Sequence, residues 1–227
     1  MMLSPDNVPA ISVIKQSGYK RMPWKNGLGE TLEIYTLDDT TGLRFRISQA
    51  AVVEDCMFSQ FSGLHRSLVL LSGDGMTLKH SLLKSPFLKP DLLKKDTQHS
   101  VSDNDLHSTV VIALEAPLDI ARFSGGDSTY ATLRNGSIED LNIMVRQSDT
   151  CSEVAACFAP KRMNISSDNA CLMSGFYANQ DCSIAVNDIE KLQLQAHSFL
   201  LIEQAQYLYL SQGSGVFIQV LETTVLN

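Results

Sequence analysis

Trp24, Lys25 and Asn26 stand directly before the run Gly27-Leu28-Gly29, and an ammonium beside a glycine-rich turn is chemistry suited to an anion. A nucleotide-binding loop of that type opens a helix and places its Lys after the final glycine, with Ser or Thr next. Here Lys25 comes first. The residues that follow, Glu30 to Leu37, alternate as a strand does, with Leu32, Ile34 and Thr36 on one face and Thr31, Glu33 and Tyr35 on the other. Asn26-Gly27 between extended segments makes a tight turn, because both residues accept positive φ. The phosphate-loop reading fails. What stays open is whether Trp24, the single tryptophan, fills a core or walls a site with Lys25 beside it.

Two more cations lie near segments whose alternation can be read. Arg44, Arg46 and Ser48 share a strand face opposite Phe45 and Ile47, while Asp140, Asn142, Met144 and Arg146 share one opposite Leu141, Ile143 and Val145. A polar face turned into a β-barrel reads as the lining of a pocket. Arg46 and Arg66 suit bidentate recognition of a carboxylate, and Lys25 adds a point charge. Asn26, Ser48, Ser59 and Asn142 can orient a small polar ligand; Trp24, Phe58, Phe61 and Met144 can wall it. The competing reading is a structural ion pair between Arg46 and Asp140, since buried charges need partners.

Metal chemistry finds no pattern to rest on. His65, His80, His99, His107 and His197 are scattered, and Cys151, Cys157, Cys171 and Cys182 lack the paired spacing of a zinc site. No Ser, His and acidic set falls in a hydrolase motif. The expectation is no metal, no cofactor and no catalytic residue.

The apolar segments that must carry these side chains are short, rich in Val, Ile, Leu and Phe, and separated by turn residues. Residues 30–37, 43–53, 67–73, 109–116, 141–147, 197–203, 207–213 and 215–222 are predicted strands. Residues 85–98 and 152–159 are the candidates for a helical turn or two. Many short strands at turn spacing favour a sandwich or barrel over a βαβ fold. Leu70 to Leu78 and Tyr209 to Ile218 each pass from an apolar strand through a Gly-x-Gly into another strand, a slight sign of two similar halves. Residues 82–108, with Pro86, Pro90 and a long polar run, read as a surface insertion.

The whole chain sets limits on function. At 227 residues and 44% hydrophobic content it can bury a real core. A formal net charge of -7 argues against a nucleic-acid partner. No stretch is long and apolar enough to span a bilayer, and the N-terminus lacks the basic start and apolar run of a signal peptide. Five cysteines at irregular spacing read as free thiols, so a cytoplasmic protein is expected.

Three stretches together resemble one family. Met22 to Ile34 is similar to the Pro-Trp-Lys-Asn-Gly-Gly-Gly signature, with its following Thr and Glu-Ile, of the HutD/Ves family. Phe45 to Leu78 resembles that family's aromatic-Arg-Ile-Ser strand, its Phe-Ser-x-Phe loop and its Arg before a Leu-rich strand. Leu133 to Gln147 resembles its Gly followed by Asp-x-Asn-x-Met-x-Arg. Leu28 replaces the middle glycine, His65 stands where an acid is usual, and the Phe123 to Asp127 segment carries an extra residue.

The resemblance implies an all-β, cupin-like double barrel from one chain, a bicupin, expected as a first barrel over about 10–115 and a second over about 116–227, with strands possibly shared. It implies a non-enzymatic protein that binds a pathway metabolite and regulates histidine utilisation. The ligand expected is a small formate-, urocanate- or N-formylglutamate-like carboxylate, held by Trp24, Lys25, Asn26, Thr31, Arg46, Ser48, Ser59, Phe61, Arg66, Asn142 and Met144. A homodimer is a further expectation. The alternatives are a cupin enzyme, as an isomerase or metal-dependent oxygenase, and a stress-related protein-interaction module.

Overall fold

The computed structural model describes residues 10–24, 29–83, 107–166, 170–188 and 190–223. Strands β1 to β19 carry most of these residues, with one 3-10 turn at Gln16–Gly18. They form four antiparallel sheets. One large sheet runs in the order β2 (Lys20–Pro23), β3 (Glu30–Asp39), β4 (Gly42–Val52), β11 (Ile138–Arg146), β6 (Leu64–Ser72) and β9 (Ile120–Ser124). It is paired with a small sheet of β5 (Cys56–Met57), β10 (Ser128–Leu133), β7 (Met76–Leu83) and β8 (His107–Leu114).

The other large sheet runs β1 (Ala10–Ile14), β17 (Phe199–Gln204), β14 (Cys171–Ala178), β19 (Ser214–Glu222) and β12 (Thr150–Phe158). Its small companion runs β13 (Lys161–Asn164), β18 (Tyr207–Gln212), β15 (Cys182–Val186) and β16 (Glu190–Leu194). Eight strands of one half recur in the other, each eight places later: β4, β11, β6 and β9 match β12, β19, β14 and β17, and β5, β10, β7 and β8 match β13, β18, β15 and β16. The cupin-like fold is therefore a doubled unit, all-β as the strand spacing requires.

The alternation of side chains explains how the layers stack. The large sheets turn one face toward each other: Phe45, Ile47, Leu141, Ile143 and Val145 of the first half form a single core with Tyr177, Val216, Ile218 and their neighbours. Their opposite faces point inward. Leu68, Leu70 and Ile138 pack with Met76, Leu78 and Ala131 inside the first half, and Phe176, Leu200 and Phe217 pack with Ile184, Leu208 and Leu210 inside the second. Central strand β11 is covered on both faces, so it is buried at nearly every position and does not alternate in exposure. Tyr177 ties the seam, donating to Gln49 Oε1 at 3.2 Å and meeting His197 Nδ1 at 2.9 Å.

Four expectations need correction or restriction. Of the helical candidate 152–159, residues 152–158 are strand, because β12 pairs along its whole length with β19. Sheet membership changes at 147–149 rather than at 115–116, since β9, β10 and β11 pair with β6, β7 and β4; the strand that crosses over is β1, which pairs with β17. At the ends of the 82–108 segment, Leu82 and Leu83 pair with Ser108 and His107 as strand; 84–106, including the helical candidate at 85–98, lies outside the described residues. The Gly-x-Gly echo joins the β6–β7 and β18–β19 turns, which are not equivalent in the doubled plan. No helix among the described residues is long and apolar enough to cross a membrane.

Candidate binding site on the inner face of the first half

Register places the two arginines. Met144 of β11 lies opposite Arg46 of β4 on one side and opposite Arg66 of β6 on the other, so one row across the inner face reads Arg46, Met144, Arg66. The next row inward along β11 reads Ser48, Asn142, Leu68. Both guanidiniums lie over one ring: Arg46 Cζ is 5.4 Å and Arg66 Cζ 5.7 Å from the centroid of Phe61. Phe61 is carried by the loop after β5 and pinned there by its N–H, which donates to Gly125 O at 2.6 Å.

Arg66 is the more enclosed cation. It is 6% exposed, stands 5.2 Å from the Phe58 centroid and 5.0 Å from that of Phe123, and donates from Nε to Asn142 Oδ1 at 3.3 Å. Burial pulls its pKa down to about 10, with Asp140 opposing and Arg46 adding to the fall, so it stays charged at neutral pH. Asp140 sits on the same inner face, 3% exposed, and burial pushes its carboxyl up to about 7 against the pull of Arg66. Arg46 is half-buried; burial lowers its pKa, with Glu33 and Asp38 opposing, and its buried Nε has no partner among the described residues.

These facts correct one expectation. Asp140 acts on Arg66 and not on Arg46, and no ion pair joins Arg46 to Asp140 among the described residues. The physical reason lies in the reach of the side chains: Arg66 lies toward Asn142 and Asp140 in the sheet, while Arg46 lies near the carboxylates of β3. Arg146, on the same face of β11, is withdrawn to the strand end, where it pairs with Asp39 at 2.5 Å and Asp149 at 2.7 Å.

The remaining residues divide by position. Trp24 is half-buried against the first half's core, and its indole Nε1 donates to Thr31 Oγ1 at 2.9 Å, so both sit at the end of the inner face. Ser48, Asn142 and Met144 are buried on the inner rows. Ser59 is exposed, in the loop between Phe58 and Phe61. Lys25 and Asn26 lie outside the described residues. Sequence reading left out Phe123, His80 and Thr129, although the Met76, Leu78, His80 alternation on β7 points His80 inward with two core residues.

A divalent metal does not fit this face. Two guanidiniums share it, and among the described residues no three His, Cys, Asp or Glu side chains gather as a metal-binding group. What the donors suit is an anion that accepts hydrogen bonds from planar cations.

A doubled, all-β, cupin-like unit with an arginine pair on one inner face is the class that fold and site define. The chain belongs to the HutD family, whose pattern it matches over residues 16–96 and 103–218. It is 32% identical over 137 residues to an uncharacterised 21.2 kDa protein in the hutC 3′ region of Pseudomonas putida, a match covering 59% of this chain and 57% of that protein. In fold it is similar to HutD from Pseudomonas fluorescens in a formate condition, with TM-score 0.70, 22% identity, and coverage of 95% of this chain and 100% of that one. A conserved protein of unknown function from Pseudomonas aeruginosa gives TM-score 0.67 and 24% identity, again covering 95% of this chain and 100% of that one.

Proposed function

We propose that the inner face of the first half binds a small carboxylate, and that the protein serves histidine utilisation as a metabolite-binding regulator and not as a catalyst. The observation that carries this reading is the pair of guanidiniums over Phe61, one of them with a buried Nε that has no partner among the described residues. Two like charges held close in a partly dry site repel, and one anion between them relieves the repulsion while accepting hydrogen bonds from both. Formate-, urocanate- and N-formylglutamate-like compounds are the candidates, in keeping with the hutC neighbourhood of the Pseudomonas putida relative. Lys25 and Asn26 belong to this proposal through the signature they share with the family, and Ser59 through its place between two of the phenyl rings.

Arg46→Ala tests it. Because Arg46 has no ion-pair partner among the described residues, the variant should fold normally and lose about 2 to 5 kcal/mol of carboxylate affinity by titration calorimetry. Unchanged affinity for every carboxylate tried, in a folded variant, would remove Arg46 from the site and the reading with it.

A further inference from the structure

The inner face continues past Arg66. The Phe123 ring contacts both that guanidinium and His80, whose imidazole centroid is 4.6 Å from the phenyl centroid. His80 is 1% exposed and faces inward on β7, directly opposite Thr129 of β10. Its Nδ1 is 2.9 Å from Thr129 Oγ1, and its buried Nε2 has no partner among the described residues. The Thr129 hydroxyl donates to the Asp127 carbonyl at 3.4 Å, so it presents a lone pair to the imidazole. With the hydroxyl so turned, Nδ1 carries the ring proton and Nε2 is a bare acceptor, and it is on this tautomer that the role assigned to His80 rests. Burial, with Arg66 adding to it, holds the His80 pKa down to about 4, so the ring is neutral at physiological pH.

We propose that His80 is a specificity-determining residue of this site, and that its ligand is a carboxylate that also bears an N–H or O–H donor: the carboxylate on Arg46 and Arg66, the donor on His80 Nε2. This rests on the carboxylate reading above and narrows it. A urocanate-like or N-formylglutamate-like compound has both groups. Formate has no second group with which to reach past Phe123. A buried acceptor that a ligand leaves unpaired costs that ligand affinity, so the imidazole discriminates against carboxylates of similar shape that lack the donor.

The test compares urocanate with cinnamate, which carries the same propenoate carboxylate on a ring without N–H, by titration calorimetry on the full chain at mildly alkaline pH. The parent protein should prefer urocanate by at least about tenfold. His80→Phe, which keeps a ring against Phe123, should bring the ratio near unity. Thr129→Val, which frees Nδ1 but keeps the imidazole, should reduce the ratio as well, and it decides the matter if His80→Phe does not fold by circular dichroism. Equal binding of the two compounds by the parent, or a preference that survives both substitutions, overturns the His80 assignment and leaves the carboxylate reading standing. No binding of urocanate, cinnamate or formate overturns both.

Discussion

Across β4, β11 and β6 the first inner row reads Arg46, Met144, Arg66; the corresponding row of the second half, across β12, β19 and β14, reads Glu153, Gln219, Ser174. The row beside it reads Ser48, Asn142, Leu68 in one half and Ala155, Phe217, Phe176 in the other. The strand plan is the same and the contents differ. In the second half Gln219 Nε2 donates to Ser174 Oγ at 3.0 Å, a neutral pair that needs nothing more, and phenyl rings fill the next layer. Gly215 is small because it must be: a Cβ there would meet Tyr177 O at 2.2 Å. That interior completes itself with its own side chains. The first half instead keeps two cations: Arg66 beside a carboxyl that burial drives toward neutrality, and Arg46 near Glu33 and Asp38 with a buried Nε that has no partner among the described residues. Under the proposed function, a carboxylate from outside the chain completes that interior.

The comparison can be broken most forcefully in the filled half. Phe176, 0% exposed among Leu200, Leu208 and Phe217, should cost about 3–5 kcal/mol of stability on conversion to Ala, read from the urea midpoint. Carboxylate affinity of the folded variant should not change; if it does, the halves do not divide structure from binding in this way.

Arg66→Met should show the reverse pattern. Carboxylate binding falls by about 2 to 5 kcal/mol, while the melting temperature holds or rises, because an apolar chain of similar length removes the burial of a charge. A large loss of stability would mean that Arg66 is a structural cation.

Asp140 sharpens the comparison through pH. Its folded pKa is raised to about 7 from an ordinary 3.8, so between those values the native state holds a proton that the unfolded chain has released. Stability therefore falls as pH rises from about 4 to about 7 and is level above that. His80, pulled down to about 4 from 6.5, acts with the opposite sign over much of the same range. The difference between the parent and Asp140→Asn isolates Asp140: the variant should gain on the parent across that window. Formate affinity should tighten as pH falls through 7 in the parent alone, because a neutral Asp140 no longer offsets Arg66.

The smallest effect is expected at Arg146, whose pairs with Asp39 and Asp149 lie at the strand end. Arg146→Gln should lower the melting temperature slightly, less so at high salt, and leave carboxylate binding unchanged. A loss of binding would extend the site to the end of β11.

The strands with clear alternation or an unbroken apolar run were legible without coordinates, and so was the inward direction of Arg46, Ser48, Asn142 and Met144, because pleating assigns a residue's side by parity alone. Residues 152–159 misled because three alanines and a cysteine carry little β preference; pairing with β19 made 152–158 a strand. Arg66 was chosen for its place in a motif, but its enclosure by Phe58 and Phe61 of one loop and Phe123 of β9 depends on segments far apart in the chain. His80 was passed over as a scattered histidine, although its alternation with Met76 and Leu78 is a local sign that it points inward.

Local order along the chain determined that this is an all-β protein with a polar inner face in its first half, and the shared signature determined the family. The tertiary structure alone decided which strands are neighbours, and hence that Arg66 rather than Arg46 faces Asp140. It alone placed His80 against Phe123 and divided the halves at 147–149. Parity is a property of a single strand and can be counted, whereas sheet order brings together residues as far apart as Arg66 and Asn142, and only the folded chain fixes that order.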